Sequence, residues 1–380
     1  MNVPRLRFKE FTDEWQKVKI SSFINESKIK TGDIKKYPLW SLTIENGVTP
    51  KTDRYERSFL VKKEDNYKIV GPNYYVYNPM NAHLGAIARN KSNKSISVSG
   101  YYDIFSINNN CYGYYDNYFI SPVMFKKYKL ISTGSLLEKQ RVHYSQFKEL
   151  KIYLPSDKEQ KKISDMLELL DKKIELQTKK IENLKLFKSY TKNEIFKNGD
   201  YVCKLGNIIK KWNEKNIDNS INYVESISNK AGFISQSEQF EDRNVASKNL
   251  RNYYVIRKGV FGYNPSRLNV GSIALKENNS TSVVSPLYEC FITSQNNIYL
   301  LEWLNSNYFK KETSSKFEGG VRNTLSFNNL CDIKINLPNI DKQNKYAEYF
   351  NKINFKINLE EQKMSKLLKF KKALLQKMFI

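Results

Sequence analysis

The chain has 380 residues, 40% of them hydrophobic, enough for two domains of ordinary size. No apolar run approaches the roughly 18 residues of a membrane span, and the charged opening Met1–Trp15 lacks the apolar stretch of a signal peptide, so a cytoplasmic protein without membrane contact is expected. The formal charge of +24, from 63 basic and 39 acidic residues, points to a polyanionic partner, nucleic acid first. Four scattered cysteines without a CxxC pair argue against a metal site, and two histidines, His83 and His143, leave little for general-base catalysis.

Along the chain, Val18–Ile24 is the first phrase that returns, as Cys203–Ile209. Short strand-like runs follow, among them Ile69-Val70, Tyr74–Tyr77, Ile96–Val98 and Ile104-Phe105, and again Tyr253–Ile256, Val260-Phe261 and Ser282–Val284. The stretches 14–155 and 200–337 therefore read as mixed strand and loop. Residues 77–88 and 263–274 match without a gap at an offset of 186: Tyr77/Tyr263, Asn78/Asn264, Pro79/Pro265, Gly85/Gly271, Ile87/Ile273 and Ala88/Ala274 are identical, and Leu84/Val270 agree in class. Phe105 and Phe291 keep the same offset. The chain is one module written twice. A duplicated reader suggests a target with two parts.

The Asn-Pro pair resembles the Asn-Pro-Pro-aromatic loop of amino-methyltransferases, but Met80 or Ser266 replaces the second proline and no aromatic follows. The first half also lacks any Gly-x-Gly for S-adenosylmethionine. The motif reads as a turn, with proline extending its predecessor and asparagine capping. The dense aromatics Tyr112, Tyr114, Tyr115, Tyr118 and Phe119 suit a hydrophobic strand face better than base stacking.

Two segments have helical periodicity, from about Ser156 to Phe196 and from about Asn339 to the end, each opened by Leu-Pro, Leu154-Pro155 and Leu337-Pro338. Ile163, Leu167, Leu170, Ile174, Ile181 and Leu184 step by four and three, with Gln177 in the polar slot. Tyr346, Phe350, Ile353, Ile357, Met364 and Leu367 repeat them at an offset of 183, with Glu360 in the polar slot. This is a coiled-coil seam. A two-fold-related pair of such helices would run antiparallel. Two separate amphipathic helices are the plainer alternative.

The helices carry a balance of +3 over 157–197 and +6 over 341–380, which leaves +15 on the modules. Candidate DNA contacts are Arg54, Arg57, Arg89, Lys91, Lys139 and Arg141 in the first module and Arg243, Arg251, Arg267 and Arg322 in the second. Arg57/Arg243 and Lys139/Arg322 keep the repeat offsets of 186 and 183. For any single cation, a solvated surface role competes with phosphate contact.

With its opening phrase Leu6–Trp15, the two Tyr-Asn-Pro segments and the two Leu-Pro helices, the whole chain resembles the specificity subunit of a type I restriction–modification system. The resemblance implies an α+β protein with target recognition domains at 1–155 and 198–337, related by a pseudo-twofold axis, and spacer helices at 156–197 and 338–380 that form an antiparallel coiled coil. It implies a non-catalytic subunit that reads a bipartite, asymmetric duplex DNA site, one half per module. The partners it implies are double-stranded DNA, two modification subunits that methylate adenine and two restriction subunits. S-adenosylmethionine, ATP and Mg would then sit on the partners, with no cofactor on this chain. A stand-alone DNA-modifying enzyme, or a specificity subunit of a related fused restriction–modification system, are the alternatives.

Overall fold

The computed structural model describes residues 2–51, 67–134, 140–229, 232–236, 249–314 and 324–380. Two compact units divide the chain: Met1–Thr178 with Lys363–Ile380, and Lys179–Gln362. Each unit thus takes part of both long helices.

In the first unit, β1 (Gln16–Lys19), β2 (Ile24–Ser27), β3 (Lys30–Thr31), β4 (Trp40–Thr43), β5 (Gly47–Pro50), β6 (Tyr67–Val70), β7 (Tyr75–Tyr77), β8 (Ile87–Arg89), β9 (Ile96–Ser99) and β10 (Asp103–Ile107) come before the short helices α1 (Tyr112–Tyr118), α2 (Pro122–Ile131) and α3 (Tyr144–Glu149). Then β11 (Lys151–Leu154) leads into α4 (Asp157–Lys197). An inner antiparallel sheet has the order β2-β10-β7-β8, and β1 pairs with β11. The outer part is the sheet β3-β6-β9 and the hairpin β4-β5.

Strand β7 explains this layering. Its alternate side chains point to opposite faces, and both faces are covered. Tyr75 and Tyr77 enter the inner core, and Val76 enters the outer one with Val70, Ile96 and Val98. Tyr75 lies flat on Phe105, ring centroids 5.2 Å apart. Burying such a side chain contributes about 1.5–3 kcal/mol.

The second unit repeats the inner frame. Its strands are β12 (Tyr201–Lys204), β13 (Ile209–Lys211), β14 (Glu225–Ser228), β15 (Gly232–Ser235), β16 (Tyr254–Ile256), β17 (Phe261–Tyr263), β18 (Ile273–Leu275), β19 (Ser282–Val284) and β20 (Glu289–Thr293). The helices α5 (Asn297–Leu304), α6 (Asn307–Thr313) and α7 (Phe327–Cys331) follow, then β21 (Lys334–Leu337) and α8 (Ile340–Lys377). The inner order is β13-β20-β17-β18, strand for strand that of the first unit, and β12 pairs with β21 as β1 does with β11. Phe261 stacks on Phe291 at 4.9 Å, and the two rings stand at the module offset from Tyr75 and Phe105. Where Val76 stands in the first unit, the second has Gly262, and a Cβ there would come within 2.8 Å of Ile227. The outer layer is the hairpin β14-β15 and the pair β16-β19, which repeat β4-β5 and β6-β9; a single bridge from Lys215 to Tyr254 stands where β3 pairs with β6.

Two readings of the sequence need correction. The modules are not strand and loop alone, because short helices follow each inner sheet. The aromatics at 112–119 lie on helix α1 and its C-terminus rather than on a strand: Tyr114, Tyr115, Tyr118 and Phe119 are fully buried, in two neighbouring rows one turn apart. Seven residues are too few to show a polar face, so the apolar run looked strand-like.

Each long helix starts on a cap. The Ser156 hydroxyl accepts from the Glu159 amide at 3.4 Å, and the Asn339 side chain accepts from the Lys342 amide at 3.0 Å. Within the first unit, α4 and the end of α8 run antiparallel: Ile163, Leu167 and Leu170 share a core with Leu374, Leu375 and Met378, and Lys371 meets Asp171 at 2.5 Å. Within the second unit the order is again antiparallel, with Phe196 against Phe350 at 5.8 Å and Lys180 on Glu360 at 3.0 Å. Ile163, Leu167, Leu170, Ile181, Phe350, Ile353, Ile357 and Glu360 are buried, and Ile174, Gln177, Leu184, Tyr346, Met364 and Leu367 are half-buried.

Candidate nucleic-acid interface

The Tyr-Asn-Pro motif folds into the same clasp twice. The Asn78 side-chain oxygen accepts from the Met80 amide at 3.0 Å, and that of Asn264 accepts from the Ser266 amide at 3.1 Å. The Tyr77 hydroxyl donates to the carbonyl of Val142 at 2.8 Å, and the Tyr263 hydroxyl donates to that of Leu325 at 3.2 Å. The return bonds also match: the Val142 amide donates to Pro79 and the Leu325 amide to Pro265, at 2.9 and 3.1 Å. Gly85 and Gly271 close the turns with φ of +97° and +86°, the left-handed region that favours glycine. Burial pushes both phenols well above their usual range, so they remain donors. Each asparagine uses its side-chain oxygen to brace its own turn, so the motif acts as a structural clasp.

A second repeated device is a buried glutamine. Gln160 and Gln343 lie one turn into α4 and α8, related by the helix offset, and both are buried. Gln160 Nε2 donates to the Pro155 carbonyl at 3.0 Å, and its Oε1 accepts from Asn109 at 3.1 Å. Gln343 Nε2 donates to the Pro338 carbonyl and to Gln295, both at 2.9 Å, and its Oε1 accepts from the Asn296 amide at 3.2 Å. Both amides fix a helix start to the loop that follows strand β10 or β20. The equal spacing from Leu-Pro was the available signal in the sequence.

The candidate cations fall into three groups. Arg54, Arg57, Lys139, Arg243 and Arg322 lie outside the described residues, so neither repeat-related pair is placed. Lys91, Arg141, Arg251 and Arg267 are exposed. Arg267 sits on the second Tyr-Asn-Pro turn, and Arg141 precedes Val142, the partner of the first. Arg89 is different. Its guanidinium grips Asp116, with Nη2 at 3.0 Å, donates to Asn73 at 2.6 Å and lies over the Tyr112 ring at 4.7 Å. Strand β8 turns this side chain onto α1, so it is held inside the fold rather than offered to a phosphate. Lys91 reaches the same carboxylate at 3.3 Å but remains 64% exposed.

Other charges are internal. Glu159 is buried and takes a two-bond grip from Arg7, at 2.8 and 2.7 Å. Glu302 on α5 is bonded by Lys188 at 2.7 Å, Lys192 at 3.0 Å and Asn354 at 3.0 Å. Burial works to raise its carboxyl, but Lys192 and Lys188 outweigh that and hold it below the usual range. In the outer layer of the second unit, Lys276 and Glu225 form an ion pair 1% and 3% exposed, joined by the Ser282 hydroxyl. The residue of the first unit that stands at the module offset from Lys276 is Asn90, whose amide donates to the carbonyls of Val70, Gly71 and Lys94. Among the described residues no group of His, Cys, Asp or Glu could hold a metal ion, and no helix is long and apolar enough to cross a membrane.

Residues 12–186 match the family model of the type I restriction modification DNA specificity domain. That match spans 175 of the 380 residues and lies on the first of the two modules and the helix that follows it. The fold is similar over its whole length to the S subunit of a type I restriction–modification system from M. genitalium, with a TM-score of 0.62, 13% identity, and coverage of 100% of this chain and 99% of that one. A second solved structure, described as the structural basis of complex assembly and conformational transition of the type I R-M system, aligns with a TM-score of 0.55, 14% identity, and 97% and 98% coverage. No curated protein matches in sequence.

Proposed function

We propose that this chain reads a bipartite, asymmetric duplex DNA site, one half per module, without catalysing a reaction itself. The observation that carries this is the strand-for-strand repetition of the inner sheet and its clasp behind outer layers that share their main strand pairs but not their side chains, as Asn90 and Lys276 show at one offset position. One frame presented twice, with different surfaces, suits a target with two unlike halves. In this reading the paired helices set the gap between the half-sites and dock two modification subunits. Leu176 and Leu359 are exposed and related by the helix offset, as are Phe187 and Phe370, which supports docking of one partner twice. Two restriction subunits would complete the assembly, with S-adenosylmethionine, ATP and Mg on the partners.

Two experiments test it. Replacing residues 14–160 with the corresponding segment of a foreign module, so that the glutamine at the helix start travels with its loop, should change one half of the methylated motif in cells carrying the partner genes. A change in both halves, or in neither, sinks the reading. A four-residue insertion near Gln177 adds about one helical turn, roughly 5.4 Å. It should alter the gap and leave both half-sites intact; an unaltered gap would remove the helices as the ruler.

A further inference from the structure

Each unit holds a β-hairpin against the strand that follows its Tyr-Asn-Pro turn. Strands β4 and β5 pair Thr43 with Gly47, and β14 and β15 pair Ser228 with Gly232. Gly47 and Gly232 both have positive φ, +64° and +69°. A Cβ on either would meet the methyl of an alanine, Ala88 at 3.2 Å and Ala274 at 3.7 Å. Those alanines end the repeated Gly-x-Ile-Ala phrase, so the seat of the hairpin is the same in both units.

The tip is not the same. The first reads Thr43-Ile44-Glu45-Asn46; the sequence between the second hairpin's paired ends is Asn229-Lys230-Ala231, of which Lys230 and Ala231 lie outside the described residues. In the first unit Ile44, Glu45 and Asn46 are all exposed, Ile44 by 51%. The Asn46 amide donates to the Thr43 hydroxyl at 3.1 Å, which braces the turn from within. The tip lines a cleft of about 280 Å³ with Lys91 on another wall. Arg89 holds Asp116 in that wall, and Lys91 keeps most of its surface in solvent.

A two-stranded ribbon fits the major groove of duplex DNA, and these three side chains are the kinds that read bases there. Carboxylates accept from the cytosine amino group, carboxamides pair with the adenine edge, and an apolar side chain meets the thymine methyl. We propose that Ile44-Glu45-Asn46 is a base-reading element of the first unit, with Lys91 as its neighbouring phosphate contact. This rests on the DNA-reading function proposed above and names where in the first unit the reading is done.

The test is binding-site selection from a random duplex pool by the purified complex with its modification subunits. The probes are wild type and the exposed, shape-conserving variants E45Q and N46D, with K91A beside them. Wild type should select a two-part sequence. E45Q and N46D should relax or change the preference at one or two adjacent positions of one half-site by about ten-fold or more, with the gap and the other half unaltered. K91A should weaken binding to all sequences alike and flatten its salt dependence by about one phosphate. Loss of selection by a tip variant whose thermal melting is unchanged also supports the assignment. An unchanged half-site in both tip variants overturns it while leaving the DNA-reading function intact. If wild type itself selects no two-part sequence, both fall together.

Discussion

The inner sheets and the outer layers of the two units have obeyed different rules. The inner frames share strand order, the Tyr-on-Phe or Phe-on-Phe stack, the Tyr-Asn-Pro clasp and the glutamine at the helix start. The outer layers keep their main strand pairs but differ in how they meet their buried polar needs: Asn90 bonds three carbonyls in one, whereas Lys276 and Glu225 pair in the other. A frame that must hold two sheets and a long helix in register has few solutions. An outer layer that has only to cover one sheet face has many. The difference is the physical room in which two modules with one skeleton acquire two surfaces.

The outer layers should therefore respond unequally to parallel changes. Glu225→Ala strands a buried ammonium and should cost about 3–5 kcal/mol, seen as a fall in the denaturant midpoint. Glu225→Leu with Lys276→Met should recover most of it. Asn90→Ala leaves carbonyls rather than a charge unpaired, so its loss should be smaller, about 1–3 kcal/mol. Equal losses would break the contrast between the two layers.

Glu302 ties α5 to both long helices and supplies a test by pH. E302Q should cost about 1.5–3 kcal/mol at pH 7. The carboxyl is held below the usual value by Lys192 and Lys188 against the pull of burial. Its stabilisation is therefore complete above an unfolded pKa of about 4.3 and is lost as the pH falls through the lower folded value. The melting-temperature gap between wild type and E302Q should narrow below about pH 4. A gap that widens in acid would mean the lysines do not dominate.

The inner frames should respond alike except where their neighbours differ. Gly85→Ala and Gly271→Ala each force a left-handed residue, at roughly 1–2 kcal/mol. Gly85 should lose more, because its added Cβ would meet the Phe125 ring at 3.3 Å, whereas that of Gly271 meets only Asn229 at 4.0 Å. Smallest of all, Tyr77→Phe and Tyr263→Phe each remove one clasp hydrogen bond, for about 1 kcal/mol. Losses that differ by more than about half of that would show the two clasps to be unequal.

What the sequence disclosed follows the same division. The long helices, their Leu-Pro openings and the Tyr-Asn-Pro turn were legible because each is written twice at a fixed offset. The short helices α1–α3 and α5–α7 were not, since so few residues packed on most sides show no period. Arg89 looked like a phosphate contact because its partner Asp116 lies far along the chain on another element. The buried pair Lys276–Glu225 was hidden for the same reason. Gln160 and Gln343 were readable from spacing alone, but a lone polar residue in an amphipathic helix reads as its wet face.

Those two glutamines bear on how such a chain can be rebuilt. Each one keys its helix to the proline before it and to a loop of the module, Asn109 in one case and Gln295-Asn296 in the other. The joint is a fitted socket rather than a hinge, and both halves of the socket come from the same graft only if the cut falls beyond the first turn of the helix. A module transplanted at the Leu-Pro boundary would carry the loop and leave its key behind, whereas one cut a turn later, after Gln160 or Gln343, would bring lock and key together.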